Sequence, residues 1–180
     1  MRISSNGNVG IGTTFPAELL TVSASDDVSI RINSTKNGTW TAEQKFGALE
    51  FFGNDASGEG AGLKGFIDLK SKNKFGAAFD ITFGTTDGTN VISERMRISH
   101  NGNVVIGTTN PGDKFQIDAA NSQLRLRDTD DGSFTQFSSS GNTLAIRQGS
   151  TSASHIWLTS AGNVGIGIQT PGQKLDVAGN

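Results

Sequence analysis

Asn6-Gly7-Asn8-Val9-Gly10-Ile11-Gly12-Thr13-Thr14, closed two residues later by Pro16, is the stretch whose reading decides the fold. It returns from Asn101 to Thr109 with Pro111, and again from Ala161 to Thr170 with Pro171. A short alternating segment follows each copy: Leu20-Thr21-Val22, Phe115-Gln116-Ile117 and Leu175-Asp176-Val177. A segment that recurs three times in one chain is an architectural unit. Gly7 and Gly102 lie 95 residues apart, whereas Gly102 and Gly162 lie 60 apart. Unequal spacing rules out a solenoid of uniform coils and implies a recurring shaft module with variable inserts.

Within the first copy, Met1 and Ile3 alternate with Arg2 and Ser4, the period-2 pattern of a half-buried strand. Asn6-Gly7 supplies the positive φ of a turn, and Val9-Gly10-Ile11-Gly12 returns as a second strand. Gly12, Gly107 and Gly167 share one position. A glycine inside a strand weakens it unless another backbone comes close there, so a close approach is expected at all three. The neighbouring slot is looser, because Gly10 and Gly165 correspond to Val105. Pro16, Pro111 and Pro171, lacking an N–H for a ladder, are expected to end the strand and set a bend. Gly7, Gly102 and Gly162 complete the set of structural positions.

The expected organisation is a shaft repeat at 1–24, a β-rich insert at 25–95, a second repeat at 96–120, a shorter β insert at 121–155 and a third repeat at 156–180. Val28 to Ile32 reads as a strand that Leu124 to Leu126 repeats. Trp40 then aligns with Phe134, Gly47 with Gly141, and Leu49 and Phe51 with Leu144 and Ile146. On that alignment, residues 53–95 add an extra hairpin that accounts for the longer spacing. Ala42 to Ala48 has the alternative of a short helical turn. Met1-Arg2-Ile3-Ser4 matches Met96-Arg97-Ile98-Ser99, so the chain is expected to begin inside a repeat, as a segment of a longer protein.

Composition bounds the function classes. Leu, Ile, Val and Phe number 43 of 180 residues, enough for an ordered chain. The net charge of −2 gives no clustered basic footprint for nucleic acid. No apolar run is long enough for a membrane helix, and cysteine is absent. Modules this thin bury too few side chains to offset the ordering of their backbone. The simplest remedy is wrapping by identical chains about an axis, which covers the strand edges and builds a thin shared core.

The run from Glu94 to Pro111, Glu-Arg-Met-Arg-Ile-Ser-His-Asn-Gly-Asn-Val-Val-Ile-Gly-Thr-Thr-Asn-Pro, resembles the shaft repeat of bacteriophage tail fibres and tailspikes. Similar repeats occur in related bacterial surface and tail-like proteins. Gly162 to Gly167, with Pro171 and Lys174 to Val177, resembles it as closely. In that family such repeats often precede an intramolecular chaperone of the endosialidase type, and no such sequence lies within these 180 residues. The resemblance implies an all-β, intertwined homotrimeric fibre of β-prism or triple-β-helix-like modules with short β-hairpin inserts. It also implies attachment to a bacterial surface glycan or protein receptor, and a place in a virion tail fibre or outside the cell. A bacterial adhesin or filament subunit and a polysaccharide-degrading tailspike are the alternatives.

Chemistry-bearing residues are sparse. Gly60-Ala61-Gly62-Leu63-Lys64-Gly65 matches a dinucleotide-loop string, but a strand pattern follows where a helix is needed. Asp128, Asp130 and Asp131 lack the spacing of a calcium loop. His100 and His155 have no partner at ligand spacing, and no nucleophile–base grouping is apparent. Neither enzyme activity nor a metal or cofactor is expected. Receptor contact is expected at Trp157, which takes the slot of Arg2 and Arg97 between inward-facing Ile156 and Leu158. Trp40 reads as packing. The polar insert tips, Asn54-Asp55 and Lys72-Asn73-Lys74, are the other candidate contacts, since function concentrates on loops held by rigid scaffolds.

Overall fold

Each glycine motif folds into the same three strands. In a computed structural model, which describes residues 1–54, 60–89, 91–120, 122–127, 129–130, 134–148 and 155–178, the first copy gives β1 (Arg2–Ile3), β2 (Val9–Ile11) and β3 (Leu20–Val22). β1 and β2 are antiparallel, with Ile3 opposite Val9. β3 returns parallel to β2, with Val9 opposite Leu20 and Ile11 opposite Val22. The turn is closed by Ser4 N–H donating to Asn8 O at 2.9 Å and Gly7 N–H donating to Ser4 O at 3.0 Å. These strands form the sheet of one compact unit, Met1–Asn37.

The second unit, Gly38–Asn180, holds two six-stranded sheets. The first runs in chain order: β4 (Lys45–Gly53), β5 (Gly62–Ser71), β6 (Phe79–Thr86), β7 (Ile92–Ile98), β8 (Val104–Ile106) and β9 (Phe115–Ile117). The second repeats that order as β10 (Ser122–Arg127), β11 (Phe134–Ser140), β12 (Thr143–Gln148), β13 (Ile156–Thr159), β14 (Val164–Ile166) and β15 (Leu175–Val177). In each, all pairings are antiparallel except the last, which is parallel. The chain is all-β, with no helix among the described residues.

The backbone approach expected at the motif glycines is present in the first two copies. Gly12, Gly107 and Gly167 have φ of +77°, +89° and +72°, the left-handed region that glycine enters freely. A Cβ would lie 1.9 Å from Ser23 O at the first and 2.0 Å from Asp118 O at the second. At Gly167 the approach is looser, 3.2 Å from the Cβ of Ala178. The motif asparagine has a role that the sequence did not announce: Asn8 Nδ2 donates to Pro16 O at 3.1 Å and Asn163 Nδ2 to Pro171 O at 3.2 Å. Contrary to expectation the proline does not end the strand, since β2 stops at Ile11, five residues before Pro16; it presents its carbonyl to hold the returning loop.

Two expectations for the inserts need correcting. Val28 to Ile32 forms no strand; at Ala42 to Ala48 the helical alternative is not taken, and β4 begins at Lys45. Alternation alone does not make a strand when no neighbour offers a ladder, and Val28, Ile30 and Ile32 are exposed. Finally, there is no extra hairpin: both larger sheets have six strands. β12, not an equivalent of β4, precedes the third motif, so Leu144 and Ile146 stand where Ile81 and Phe83 stand in β6. The longer spacing comes from longer strands and from the 22 residues between β3 and β4, against 4 between β9 and β10.

Burial is inverted between the two faces of these sheets. In the first six-stranded sheet one row runs Leu49, Ile67, Phe83, Met96, Ile106, Ile117 across all six strands. In the second, the matching row is Leu124, Phe137, Ile146, Ile156, Ile166, Val177. Much of this apolar face meets solvent: Leu49 is 56% exposed, Ile106 40% and Val177 56%. Among the described residues only Trp40, Val105 and Ala145 are buried apolar side chains, whereas ten polar or charged ones are buried.

Candidate functional site

The opposite, polar face of the first six-stranded sheet is built around Arg97. The guanidinium is fully buried and spends all five N–H groups on carboxylates. Nε donates to Glu94 Oε1 at 2.7 Å and Nη2 to Glu94 Oε2 at 2.9 Å. Nη1 donates to Asp80 Oδ2 at 2.6 Å and Glu43 Oε1 at 3.1 Å, and Nη2 to Glu43 Oε2 at 2.6 Å. Lys70 Nζ adds a bond of 2.9 Å to Glu94, and Lys72 lies 3.6 Å from Glu43. Arg97, Lys70 and Lys72 therefore balance Glu43, Asp80 and Glu94. Asp68, also buried, accepts from the Thr82 hydroxyl.

The electrostatics follow from that geometry. Burial works against the charge of Arg97, yet hydrogen bonds to Glu94, Glu43 and Asp80 outweigh it and raise its pKa further. The Arg97 hydrogen bond holds Glu43 below its ordinary 4.5. Burial pushes Glu94 and Asp80 up, but bonds from Arg97 and Lys70 to the first, and from the His100 backbone and Arg97 to the second, bring both below their ordinary values. With its acids committed to a permanent cation, this cluster is suited to clamping the fold, not to moving protons.

A strap closes the cluster from above. Glu43 N–H donates to Ser71 O at 2.7 Å and Ser71 N–H to Gln44 O at 2.8 Å. Trp40 N–H donates to Lys74 O at 3.1 Å, and its ring stacks on Phe46 at 5.8 Å while meeting Phe79 edge-on at 5.5 Å. Trp40 is thus packing. Gly76, with φ +64°, passes so close that a Cβ would sit 2.8 Å from the indole.

The insert tips divide differently from expectation. Lys72, Asn73 and Lys74 form the turn after β5, where Lys72 serves Glu43 and Asn73 Oδ1 accepts from the Phe75 N–H at 3.1 Å. Only Lys74, with its ammonium 5.3 Å from the exposed Phe75 ring, presents itself outward. Asn54 follows β4 at the far end of β5, about 30 Å away at the rise of a ten-residue strand. Asn54 and the Lys72–Lys74 turn therefore belong to different surfaces. Asp55 lies outside the described residues, as do Asp128 and Asp131.

Trp157 opposes Ala145 on one side and Gly165 on the other, on the face away from Ile156 and Leu158. Its equivalents differ: Arg2 is exposed, Arg97 is sealed, and the Trp157 indole is half-buried. It lines a concavity of about 340 Å³ with Ser138, Thr143, Ala145, Arg147 and Gln169. Sequence reasoning found Trp157 but not these neighbours, which come from β11, β12 and the loop after β14. It also missed Arg97, whose partners stand up to 54 residues away.

No family model matches this chain, and no curated protein matches it either. Among the described residues no group of three or more His, Asp or Glu side chains is arranged to hold a metal ion. His100, which lacked a partner at ligand spacing, bonds through its backbone N–H to Asp80 Oδ1 at 2.8 Å, with Nδ1 3.2 Å from the same atom. His155 Nε2 lies 3.2 Å from Gln148 O. Gly62 to Gly65 lies in β5, with no helix after it to meet a phosphate.

Proposed function

We propose that this chain is a shaft segment of a phage or phage-like tail fibre, working as an intertwined homotrimer that carries an attachment surface for a bacterial cell. The observation that carries the reading is the inverted burial: a continuous apolar row crosses all six strands of each larger sheet and remains open to solvent. Completing the burial of half-exposed side chains such as Leu49, Ile67, Ile81, Ile106 and Phe115 contributes about 1 kcal/mol each. Patches of this extent on a single chain mark association surfaces. The unpaired alternating segment Val28 to Ile32 supports the same reading, as it awaits a ladder partner.

Identical copies are the occupant that the repeats favour, because the row recurs at matched register. Apolar faces turned to a common axis leave the polar faces, with Arg97 and Trp157, on the outside. Mass measurement in solution tests this: a particle three times 18.8 kDa, about 56 kDa, is expected. A stable 18.8 kDa particle overturns it. Ile67→Glu, in mid-row, is expected to dissociate the particle. Retention of the labelled protein on purified capsule or lipopolysaccharide tests attachment.

A further inference from the structure

The geometry points to the concavity over β11, β12 and β13 as a subsite for one neutral or acidic pyranose ring stacked on Trp157. This inference deepens the attachment reading and rests on it. The floor is small: Ala145 and Gly165 flank the indole on the two neighbouring strands, with the Ile168 carbonyl over Gly165. The rim is polar, with the hydroxyls of Ser138 and Thr143, the amide of Gln169 and the guanidinium of Arg147 around the same space. A pyranose presents an apolar sheet of C–H bonds and an equatorial edge of hydroxyls. The C–H face fits the electron-rich indole, and the hydroxyl edge fits amide and hydroxyl partners. At about 340 Å³ the space is at the lower end of ligand pockets, sized for one ring and not for a chain.

The companion sheet supplies the contrast. There the same slot holds Arg97, and Glu43, Asp80 and Glu94 close over it, leaving no room above the sheet. Among the described residues no carboxylate lines the Trp157 concavity, and Arg147 does. That lining favours neutral and acidic rings over rings that carry a free ammonium. The concavity also faces away from the apolar row, so copies packed on that row leave it open.

The test is titration of the full chain with glucose, galactose, N-acetylglucosamine and glucuronate, to about 50 mM, where single-ring affinities in the millimolar range are read. Of the two tryptophans, Trp40 is buried, so a sugar-dependent change in fluorescence reports Trp157. A saturable change with at least one of the four is expected. Ligand-observed saturation transfer then compares variants: Trp157→Ala should weaken binding at least tenfold, and Gln169→Ala about threefold. Trp157→Phe, which keeps an aromatic platform and the strand, should retain partial binding. No response to any of the four, or binding unchanged in both Trp157→Ala and Gln169→Ala, overturns the subsite. Mass measurement on the same sample separates the two readings: a trimer that binds no sugar removes only the subsite, and a monomer that binds one removes only the assembly.

Discussion

The two six-stranded sheets share strand order, pairing and an apolar row at matched register, yet treat one position on the polar face in opposite ways. In β4–β9 that position is Arg97, buried and sealed by carboxylates from a strap and two strands. In β10–β15 it is Trp157, half-buried above a glycine and open to a concavity. The strands differ in length as well: β4 to β7 run 9, 10, 8 and 7 residues, β10 to β13 only 6, 7, 6 and 4. Two of the acids stand on the strands themselves, Asp80 in β6 and Glu94 in β7, and the strap before β4 adds Glu43. The lesson is that a repeated scaffold fixes where a side chain stands, while its neighbours on the sheet and the strap decide whether it becomes a clamp or a surface.

Removing the clamp should give the largest effect. Arg97→Met leaves three carboxylates facing one another without their shared cation, and breaking a buried ion pair from one side costs about 3–5 kcal/mol. Urea denaturation followed by Trp40 fluorescence should show that loss, while Trp157→Phe costs far less. Equal losses in the two variants would break the comparison. Acid acts on the same groups. Glu43, Asp80 and Glu94 titrate below their ordinary values of 4.5, 3.8 and 4.5, so their stabilisation is complete above those values. It is lost as pH falls through the lower, folded values. The Trp40 signal should therefore unfold in acid before the Trp157 signal does.

Glycine substitutions sharpen the comparison at the next level. Gly107→Ala meets both a left-handed φ and a carbonyl oxygen 2.0 Å from the new Cβ. The φ alone costs about 1–2 kcal/mol, and relieving the clash brings the total to about 2–4 kcal/mol. At Gly167 the nearest atom is 3.2 Å away, so Gly167→Ala should cost little more than the φ. Thermal melting of the two variants checks the order; a larger loss at Gly167 would mean the third motif is the more tightly closed.

What was legible in the sequence follows the repeat. Gly12, Gly107 and Gly167 announced a close backbone approach because one glycine recurs at the same position in every copy, although it stands at the bend just past the strand and not inside it, and its left-handed φ asks for glycine as well. The short strands after each motif were equally plain from alternation. The inserts misled because alternation at Val28 to Ile32 and at Leu124 to Leu126 looks alike, although only the second finds a neighbour within the chain. Arg97 was hidden for a different reason: a charge on one face of a strand reads as solvated unless its partners are local. Glu94 is three residues away, but Asp80 and Glu43 arrive only through the fold. The Trp157 concavity was half-legible, since the indole broke a repeated pattern while its polar rim is scattered from Ser138 to Gln169.

The smallest effect probes a bond that the first and third motifs share. Asn8 and Asn163 each hold the carbonyl of the closing proline through the side-chain amide, at 3.1 and 3.2 Å. One such bond contributes about 1 kcal/mol net. Asn163→Ala should lower stability by about that amount and leave the sheet register unchanged, because Val164 N–H still donates to Lys174 O at 2.9 Å and Ala178 N–H to Ile166 O at 2.8 Å. Asn163→Asp keeps the shape and removes the donor, so it should cost at least as much as alanine. If aspartate were instead tolerated, the carbonyl of Pro171 would not be the group that the side chain serves, and the loop closure would rest on the backbone bonds alone.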